Sequence, residues 1–370
     1  MTAVNSSALY ASRIARVREE MTRQLIDVAL LSVGHDLPYL TGYYAMPLER
    51  LTMLVVTHDS PASLIVPRLE APRVTPYDDV FRIVPWGETE NPVALVAKLV
   101  DGSKTLAIGD QMWARFLVEL IGLVPGANFV RAVDVVGPLR MAKDVHEIEA
   151  LRLAGAAADR VALQLQAGAI SLVGRTEAQV SADISARLIA EGHDVVNFAI
   201  VAAGENAASP HHHPGPRVIK KNEIVLCDFG GTMNGYCSDI TRCVYIGTPP
   251  RQLTSAYAVL HAAQAAGVRA GVVGATCESV DAASREIIDD AGFGDFFIHR
   301  TGHGIGMEAH EDPYIVSGNK LPIAAGHAFS VEPGIYIPGK WGMRLEDIVV
   351  ATNAGPISMN NVDHSLVLVS

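Results

Sequence analysis

The sequence predicts an α/β (α+β) protein with two domains. In its first third, apolar strand-like segments such as VALLSV and TMLVVT alternate with amphipathic helical segments, which is typical of a mixed sheet covered by helices. After a change of composition near residue 140, a long Ala- and Leu-rich helical segment precedes strands whose turns carry acidic residues. We therefore predict one domain over residues 1–140 and a second over residues 141–370.

The first domain is predicted to begin with a charged amphipathic helix over residues 8–26. Short apolar runs bounded by turn residues then predict strands. Two further helical patterns lie near 91–100 and 111–122. The strands are expected at residues 28–33, 52–57, 63–67, 81–86 and 105–109.

The second domain is predicted to open with two helices that carry recognisable starting signals. Asp144 is a candidate N-cap for the first helix. Thr176 and Gln179 have the spacing of a capping box at the start of the second. Strands and two more helices fill the rest of the domain. The four helices are expected at residues 144–168, 175–191, 252–270 and 276–291.

Composition excludes several classes of function. The chain has 370 residues, is 49% hydrophobic and carries a net charge of −11. Nucleic acids and anionic membranes select basic surfaces, so this charge argues against both partners. No apolar run reaches the roughly 18 residues of a membrane span. The first residues lack the apolar core of a signal peptide, which favours a cytoplasmic location.

Four cysteines are present, none of them in a CxxC pair. Cys237 and Cys243 lie six residues apart, which places them about 20 Å apart along an extended strand, too far to share one metal ion. We expect reduced, buried thiols, with zinc ligation as the alternative. The four are Cys227, Cys237, Cys243 and Cys277.

Five residues carry the strongest functional signal. They occur in the runs IVLCDFGG, GYCSDITR, TGHGIG, FSVEPGIY and GMRLEDIVV. Each alone has an ordinary interpretation as a turn, cap, loop or surface residue. Carboxylates within apolar strands are costly unless they are neutralised. Together, four carboxylates and one imidazole form a ligand set for divalent metals. The five residues are Asp228, Asp239, His303, Glu332 and Glu346.

Turn signals predict that the carboxylates lie close together in two pairs. Asn234-Gly235 predicts a type I′ hairpin. If that turn is centred there, Asp228 faces Thr241, Gly230 faces Asp239, and the two aspartates are diagonal neighbours about 7–8 Å apart.

The second pair follows from a hairpin centred on Gly339. That register places Glu332 directly opposite Glu346, with Cβ atoms about 5 Å apart. Like charges at that separation repel each other unless a cation lies between them.

The remaining histidines are a run of three, His310 and eight scattered residues. His211, His212 and His213 suggest metal binding by composition, with a polar loop as the alternative. His310 follows His303 by seven residues. The others are assigned to the surface or the core: His35, His58, His146, His193, His261, His299, His327 and His364.

In these motifs the chain resembles the pita-bread metallopeptidase superfamily, which includes prolidase, aminopeptidase P and methionine aminopeptidase. The runs SPH, VLCDFGG, GYCSDITR, TGHGIGMEAHE, SVEPGIY and RLEDIV follow the family pattern in order and spacing. Within it, the sequence is most similar to bacterial and archaeal Xaa-Pro dipeptidases (prolidases), and especially to the actinobacterial cytoplasmic dipeptidases. The resemblance implies a creatinase-type N-terminal domain over residues 1–140 and a pita-bread catalytic domain over residues 141–370.

The resemblance also implies a role for each matching residue. Asp228 and Asp239 would bind one metal ion, and His303 and Glu332 would complete the shell of the other. Asp239 and Glu346 would bridge the two ions. The residues implied to be catalytic are His211, His310, Glu332 and Arg344, with Thr241 as an orienting donor.

The implied reaction is the hydrolysis of Xaa-Pro dipeptides by a metal-bridging hydroxide. A ligand set of oxygens and one imidazole favours Mn²⁺, with Co²⁺, Zn²⁺ or Fe²⁺ as alternatives. His211 or His310 would stabilise the oxyanion, and Glu332 would carry the proton to the leaving nitrogen. The partners implied are small peptide substrates and a second copy of the chain in a homodimer.

One departure from the family leaves the length of the substrate open. Some prolidases carry an arginine shortly after the second histidine, whereas this chain reads His310-Glu311-Asp312-Pro313. Arg217, Lys340 or a residue of the N-terminal domain would then have to bind the substrate carboxylate. Without such a cation, an aminopeptidase P acting on longer peptides is the alternative. A creatinase-type C–N hydrolase or an inactive binding module is disfavoured because all five ligands are intact.

Overall fold

The structure is a computed structural model that describes residues 6–59 and 61–369. It divides into two compact units at Arg140/Met141. Each unit combines helices with β-sheet, so the α/β class predicted from the sequence is confirmed. Over the described residues, no helix is both long enough and apolar enough to span a membrane.

The first unit is built on a six-stranded mixed sheet. Its strands are β1 (Val28–Leu31), β2 (Met53–Thr57), β3 (Ala62–Pro67), β4 (Phe81–Trp86), β5 (Thr105–Ile108) and β6 (Asn128–Arg131). They lie side by side in the order β4-β3-β2-β1-β5-β6. Its helices are α1 (Ser6–Gln24), α2 (Asp36–Thr41), α3 (Pro92–Leu99), α4 (Ala114–Leu123) and α5 (Val133–Met141).

The predicted elements of this unit are all present, and three more were missed. The missed elements are α2, β6 and α5. The first two span only six and four residues, too few to show a periodic pattern. Helix α5 contains Pro138, which lacks the backbone N–H of a regular helix and therefore argues against one.

The second unit contains the four predicted helices. They are α6 (Val145–Gln166), α7 (Glu177–Ala190), α8 (Arg251–Ala270) and α9 (Cys277–Asp290). The predicted caps are confirmed, because Asp144 accepts from the backbone N–H of Glu147 and Thr176 accepts from that of Gln179. In both caps the N3 side chain accepts in return from the N-cap backbone N–H, which completes a capping box.

Two five-stranded sheets and one hairpin form the rest of the second unit. The strands of the first sheet are β7 (Val195–Ala203), β8 (Ile224–Met233), β9 (Tyr236–Cys237), β10 (Ile240–Ile246) and β18 (Val367–Val369). Those of the second are β11 (Gly302–Gly304), β12 (Glu311–Ile315), β13 (Ala328–Val331), β16 (Asp347–Thr352) and β17 (Gly355–Ser358). The hairpin consists of β14 (Gly334–Ile337) and β15 (Trp341–Arg344).

Helices cover these sheets with apolar faces. Leu165 of α6 and Ile184 of α7 join Val225 of β8 in one buried cluster. Leu260 of α8 and Ile288 of α9 belong to a second cluster that includes residues of β8, β10 and β15. The strands that carry the acidic residues are thereby held between packed layers.

The first predicted hairpin has the expected register. Asp228 pairs with Thr241, and Thr232 pairs with Cys237. The turn residues Asn234 and Gly235 have φ angles of 51° and 82°, as a type I′ turn requires. Asp239 falls in the gap between β9 and β10.

The second hairpin is also centred as predicted, on Gly339. Gly334 of β14 pairs with Arg344 of β15, and Val331 of β13 pairs with Asp347 of β16. Glu332 and Glu346 lie between these two pairs of strands. There Glu346 forms an isolated bridge with Thr241 instead of continuing the hairpin.

The four cysteines are buried and free, as predicted. Burial raises the pKa of the Cys237 and Cys277 thiols to about 11. Both therefore stay protonated at neutral pH, where zinc would require a thiolate.

Candidate metal centre and active site

All eight residues predicted for the site line one cavity of about 510 Å³ in the second unit. They come from strands and loops far apart in sequence, and the two hairpins with their flanking residues supply the four carboxylates. The eight are His211, Asp228, Asp239, His303, His310, Glu332, Arg344 and Glu346. The cavity therefore contains every candidate ligand and every candidate catalytic group.

The ligand atoms of these residues form three overlapping groups, within each of which all the atoms lie within 4.8 Å of one another. Asp239, His303 and Glu346 each belong to two groups. The groups are Asp228–Asp239–Glu346, His303–Glu332–Glu346 and Asp239–His303–His310. Overlap of this kind is what a site for two neighbouring ions needs, with shared carboxylates in the middle.

Two of the carboxylates have an oxygen without the partner that burial requires. The Oδ1 atoms of Asp228 and Asp239 are buried and have no hydrogen-bond partner in the described part of the chain. Burial, together with the neighbouring carboxylates, raises the pKa of Asp239 and of Glu346 well above their usual values. A divalent cation would supply the missing neutralisation, so the residues present fit a metal centre.

His303 presents its unprotonated nitrogen, Nε2, to the carboxylates of the cavity. Its Nδ1 lies 3.0 Å from the carbonyl oxygen of Gly304, which can only accept, so Nδ1 carries the proton. Its Nε2 lies 3.3 Å from Oε1 of Glu332 and 3.8 Å from Oδ2 of Asp239. Burial lowers the pKa of His303 to about 4. The ring is therefore neutral at pH 7, with its free lone pair beside the carboxylates.

The glycines beside His303 are required by close packing. A Cβ at Gly302 would clash with the carbonyl oxygen of Ser330, and one at Gly304 would clash with that of Asp312. Two glycines thus let β11 lie tightly between its neighbours and hold the imidazole in place.

Arg344 and Thr241 orient the carboxylates. Arg344 donates from Nη2 to Asp228, from Nη1 to the hydroxyl of Tyr336 at 2.8 Å, and from Nε to Thr241 Oγ1 at 3.1 Å. Thr241 in turn donates to Glu346 Oε2 at 2.6 Å. This hydrogen bond supports the expected role of Thr241 as an orienting donor.

Glu332 is held by Ser330 and, through its Oε2, by an ion pair to Arg344 Nε at 3.9 Å. Ser330 Oγ lies 3.0 Å from Glu332 Oε1 and also accepts from the backbone N–H of His303 at 2.9 Å. The Glu332 side chain is 15% exposed, more than the other carboxylates of the cluster. It is thus the carboxylate with the greatest access to a bound molecule.

A buried clamp anchors the loop that carries His211. Glu177, which is fully buried, accepts from His212 Nε2 at 2.8 Å, from Asn206 Nδ2 at 3.0 Å and from the backbone N–H of Ala203 at 2.9 Å. Of the three consecutive histidines, only His211 lines the cavity. His212 instead anchors the loop through its hydrogen bond to Glu177.

His310 lies against His303, with 3.9 Å between ring centroids. Burial and the neighbouring His303 lower the pKa of His310 to about 4. The next residue, Glu311, pairs with buried Lys143 at 2.6 Å, which fixes the start of β12. His310 is therefore a neutral imidazole in a well-anchored segment.

Five residues that line the cavity were not predicted, two of them titratable, and two predicted cations lie elsewhere. His299, assigned to the surface or the core, lines the cavity together with Arg300. Arg217 does not line it; its guanidinium pairs with Glu205 and Glu223. Lys340 lies in the exposed turn between β14 and β15. The segment HRTGHG carried the signal, since His299 and Arg300 come just before the candidate ligand His303.

The fold and the site together define a metal-dependent peptidase. Residues 148–353 match metallopeptidase family M24, and residues 13–142 match the creatinase/prolidase N-terminal domain. The chain belongs to metallopeptidase family M24.

Similar proteins cover nearly the whole chain. A protein of Mycobacterium tuberculosis named "Probable dipeptidase PepE" is 41% identical over 98% of this chain and 97% of its own. An Xaa-Pro dipeptidase of Lactobacillus helveticus is 38% identical over 93% of this chain and 95% of its own. The crystal structure of dipeptidase PepE from Mycobacterium ulcerans superposes with a TM-score of 0.93, at 43% identity, and covers 98% of each chain.

Proposed function

We propose that the protein is an Xaa-Pro dipeptidase that uses two divalent metal ions. The observation that supports this most directly is the cluster of buried carboxylates around His303, two of whose oxygens have no hydrogen-bond partner among the described residues. The names of the relatives from Lactobacillus helveticus and the mycobacteria support a dipeptidase activity.

Five residues would hold the ions: Asp228, Asp239, His303, Glu332 and Glu346. When bound, such ions lower the pKa of a shared water molecule and polarise the carbonyl group to be cleaved. The protein supplies the geometry, because Arg344 fixes Asp228 and Thr241 fixes Glu346. Removal of either donor would loosen a ligand without removing it.

The remaining groups of the cavity would handle the proton and the developing charge. Glu332, the most accessible carboxylate of the cluster, would accept a proton at Oε and deliver it to the leaving proline nitrogen. His211 and His310 would donate hydrogen bonds to the oxygen of the cleaved bond as it becomes negative. The low pKa of His310 makes it a neutral donor that keeps its N–H throughout.

An aminopeptidase P activity on longer peptides is the second candidate. It is favoured by one observation: the segment after His310 reads Glu311-Asp312-Pro313, with no arginine to bind a nearby carboxylate. The same metal cluster would serve both activities, so the distinction depends on what binds the end of the substrate.

A metal-reconstitution experiment tests both candidates. The protein is stripped with a chelator, refilled with Mn²⁺, Co²⁺ or Zn²⁺, and assayed on Ala-Pro, Ala-Pro-Ala and Ala-Ala. Cleavage of Ala-Pro alone is the expected result. Cleavage of the tripeptide alone would favour the aminopeptidase, and no cleavage with any metal would overturn both. Manganese as the natural ion, a homodimer and a cytoplasmic location stay predictions.

A further inference from the structure

One positively charged side chain of the cavity, that of Arg300, is available to bind a ligand. Arg300 lines the cavity beside His303 and His310, and no ion pair joins its guanidinium to a carboxylate within residues 6–59 and 61–369. Arg344, the other arginine of the cavity, is bound to Asp228, Tyr336 and Thr241. Arg300 is therefore the arginine of the cavity whose charge remains available to a ligand.

Tyr314 holds this guanidinium in position. The Cζ atom of Arg300 lies 4.2 Å from the centroid of the Tyr314 ring. Stacking on an aromatic face orients a guanidinium while leaving its N–H groups, which lie in the guanidinium plane, free to donate. Tyr314 belongs to β12, the strand that begins directly after His310. The arginine is thus preorganised next to the catalytic histidines.

A dipeptide substrate needs such a group. Its C-terminal carboxylate is only one residue away from the bond to be cleaved, so it must enter the same cavity. Four carboxylates already line that cavity, and a fifth negative charge would be repelled without a cation to receive it. A planar guanidinium with free donors matches a carboxylate in a bidentate geometry.

We propose that Arg300, held by Tyr314, binds the C-terminal carboxylate of the dipeptide and sets the length of the substrate. This inference rests on the proposed dipeptidase function and deepens it. Arg300 would take the place of the arginine that some prolidases carry after the second histidine. Arg217 and Lys340 were the cations expected from the sequence, but Arg217 is paired with Glu205 and Glu223, and Lys340 lies outside the cavity lining.

The kinetic test compares Ala-Pro with Ala-Pro amide, which lacks the carboxylate. In Arg300→Gln we expect kcat/KM for Ala-Pro to fall roughly 10- to 100-fold, because a charged hydrogen-bonded pair is lost. The fall should appear mainly as a higher KM, as expected when an interaction that binds substrate and transition state equally is lost. The value of kcat/KM for the amide should change less than about threefold. Lys340→Gln is the matched control and should leave both substrates unchanged.

Two further variants separate charge from packing. Arg300→Lys keeps the charge but not the bidentate fork, so it should recover part of the affinity for Ala-Pro. Tyr314→Phe keeps the aromatic face and should have the kcat/KM of the parent for Ala-Pro. Tyr314→Leu removes that face and should lower kcat/KM for Ala-Pro, as Arg300→Gln does. Equal losses on Ala-Pro and its amide in Arg300→Gln would overturn the proposal.

A binding measurement on the metal-free protein makes the test independent of catalysis. Calorimetric titration with Ala-Pro and with Ala-Pro amide should show tighter binding of the acid to the parent and no preference in Arg300→Gln. Equal or undetectable binding of both ligands to the parent, or a preference that survives in Arg300→Gln, contradicts the role of Arg300. Absence of hydrolysis by the metal-loaded parent, with the binding preference intact, would instead overturn only the proposed function.

Discussion

Glu346 and Asp347 are neighbours in the chain and equally buried, yet their surroundings are opposite. Each is 2% exposed. Glu346 faces the cavity, where Thr241 donates to it and other carboxylates lie nearby. Asp347 accepts from Arg242 Nη2 at 2.8 Å, from Gln264 Nε2 at 3.1 Å and from His364.

This contrast appears in the proton affinities of the two groups. Burial and the charges of Glu332 and Asp228 raise the pKa of Glu346 well above its usual value. Although burial alone would raise it, hydrogen bonds from His364 and Arg242 hold the pKa of Asp347 below its usual value. A buried carboxylate with a full set of donors is structural, whereas a group of buried carboxylates with too few donors indicates a cation site.

The largest expected effect concerns the uncompensated cluster. Asp239→Asn should lower metal-dependent Ala-Pro hydrolysis by more than roughly 100-fold, since even the loss of an outer partner of a metal ligand costs 10–100-fold. The same substitution should make the metal-free protein more stable, because it removes a repelled charge.

Kinetics and thermal unfolding of the metal-free protein measure the two effects together. The exposed substitution Asp290→Asn is the control. An Asp239→Asn protein that is less stable than the parent without metal, or that keeps its activity, would remove the distinction between the two regions.

The compensated region should show the reverse behaviour. Asp347→Asn leaves the fully buried Arg242 without its ion-pair partner and should destabilise the protein by about 3–5 kcal/mol, with or without metal. Denaturant unfolding with chelator and with Mn²⁺ measures this loss. A loss of stability seen only in the metal-loaded protein would mean that Asp347 belongs to the metal site instead.

Glu177 offers a third case, a compensated carboxylate that anchors the loop carrying His211. Glu177→Gln should cost about 1–3 kcal/mol of stability, because one of its donors loses its acceptor. Since the clamp anchors the loop of His211, kcat should fall while the amount of bound metal stays constant. Metal analysis beside kinetics checks this, and an equal loss of metal would show that the clamp supports the ligands too.

The final difference between the two regions is in the pH dependence of stability. A carboxylate with a raised folded-state pKa binds more protons when folded than when unfolded, so its contribution to stability falls as pH rises above its ordinary value. The advantage of Glu346→Gln over the parent in metal-free unfolding should therefore grow from pH 5 to pH 8, by at most about 1.4 kcal/mol per pH unit.

The low pKa of Asp347 predicts the opposite pH dependence of stability. Its contribution to stability is present above the pKa of the unfolded state and is lost as acid protonates Asp347. Urea titrations at several pH values measure both trends. An advantage of Glu346→Gln that shrinks with rising pH would contradict the assigned electrostatics.

The sequence predicted the parts of this molecule that depend on local rules. Asn234-Gly235 determined one hairpin register, and Gly339 the other, so the acidic residues were correctly expected to lie close together. It missed the donors that distinguish Asp347 from Glu346, because Arg242, Gln264 and His364 come from distant elements. It missed Arg300, although this residue lies three positions before His303, because the contact with Tyr314 of β12 forms only in the folded chain.

The most direct test of the metal centre is the number of ions that the chain binds. The chelator-treated protein is dialysed to equilibrium against Mn²⁺, and the bound metal per chain is counted for the parent and for Asp239→Asn. We expect two ions per chain in the parent and fewer than one in the variant, because Asp239 belongs to two of the three ligand groups. No bound ion in the parent, or the same number in both proteins, would contradict the proposed two-metal centre.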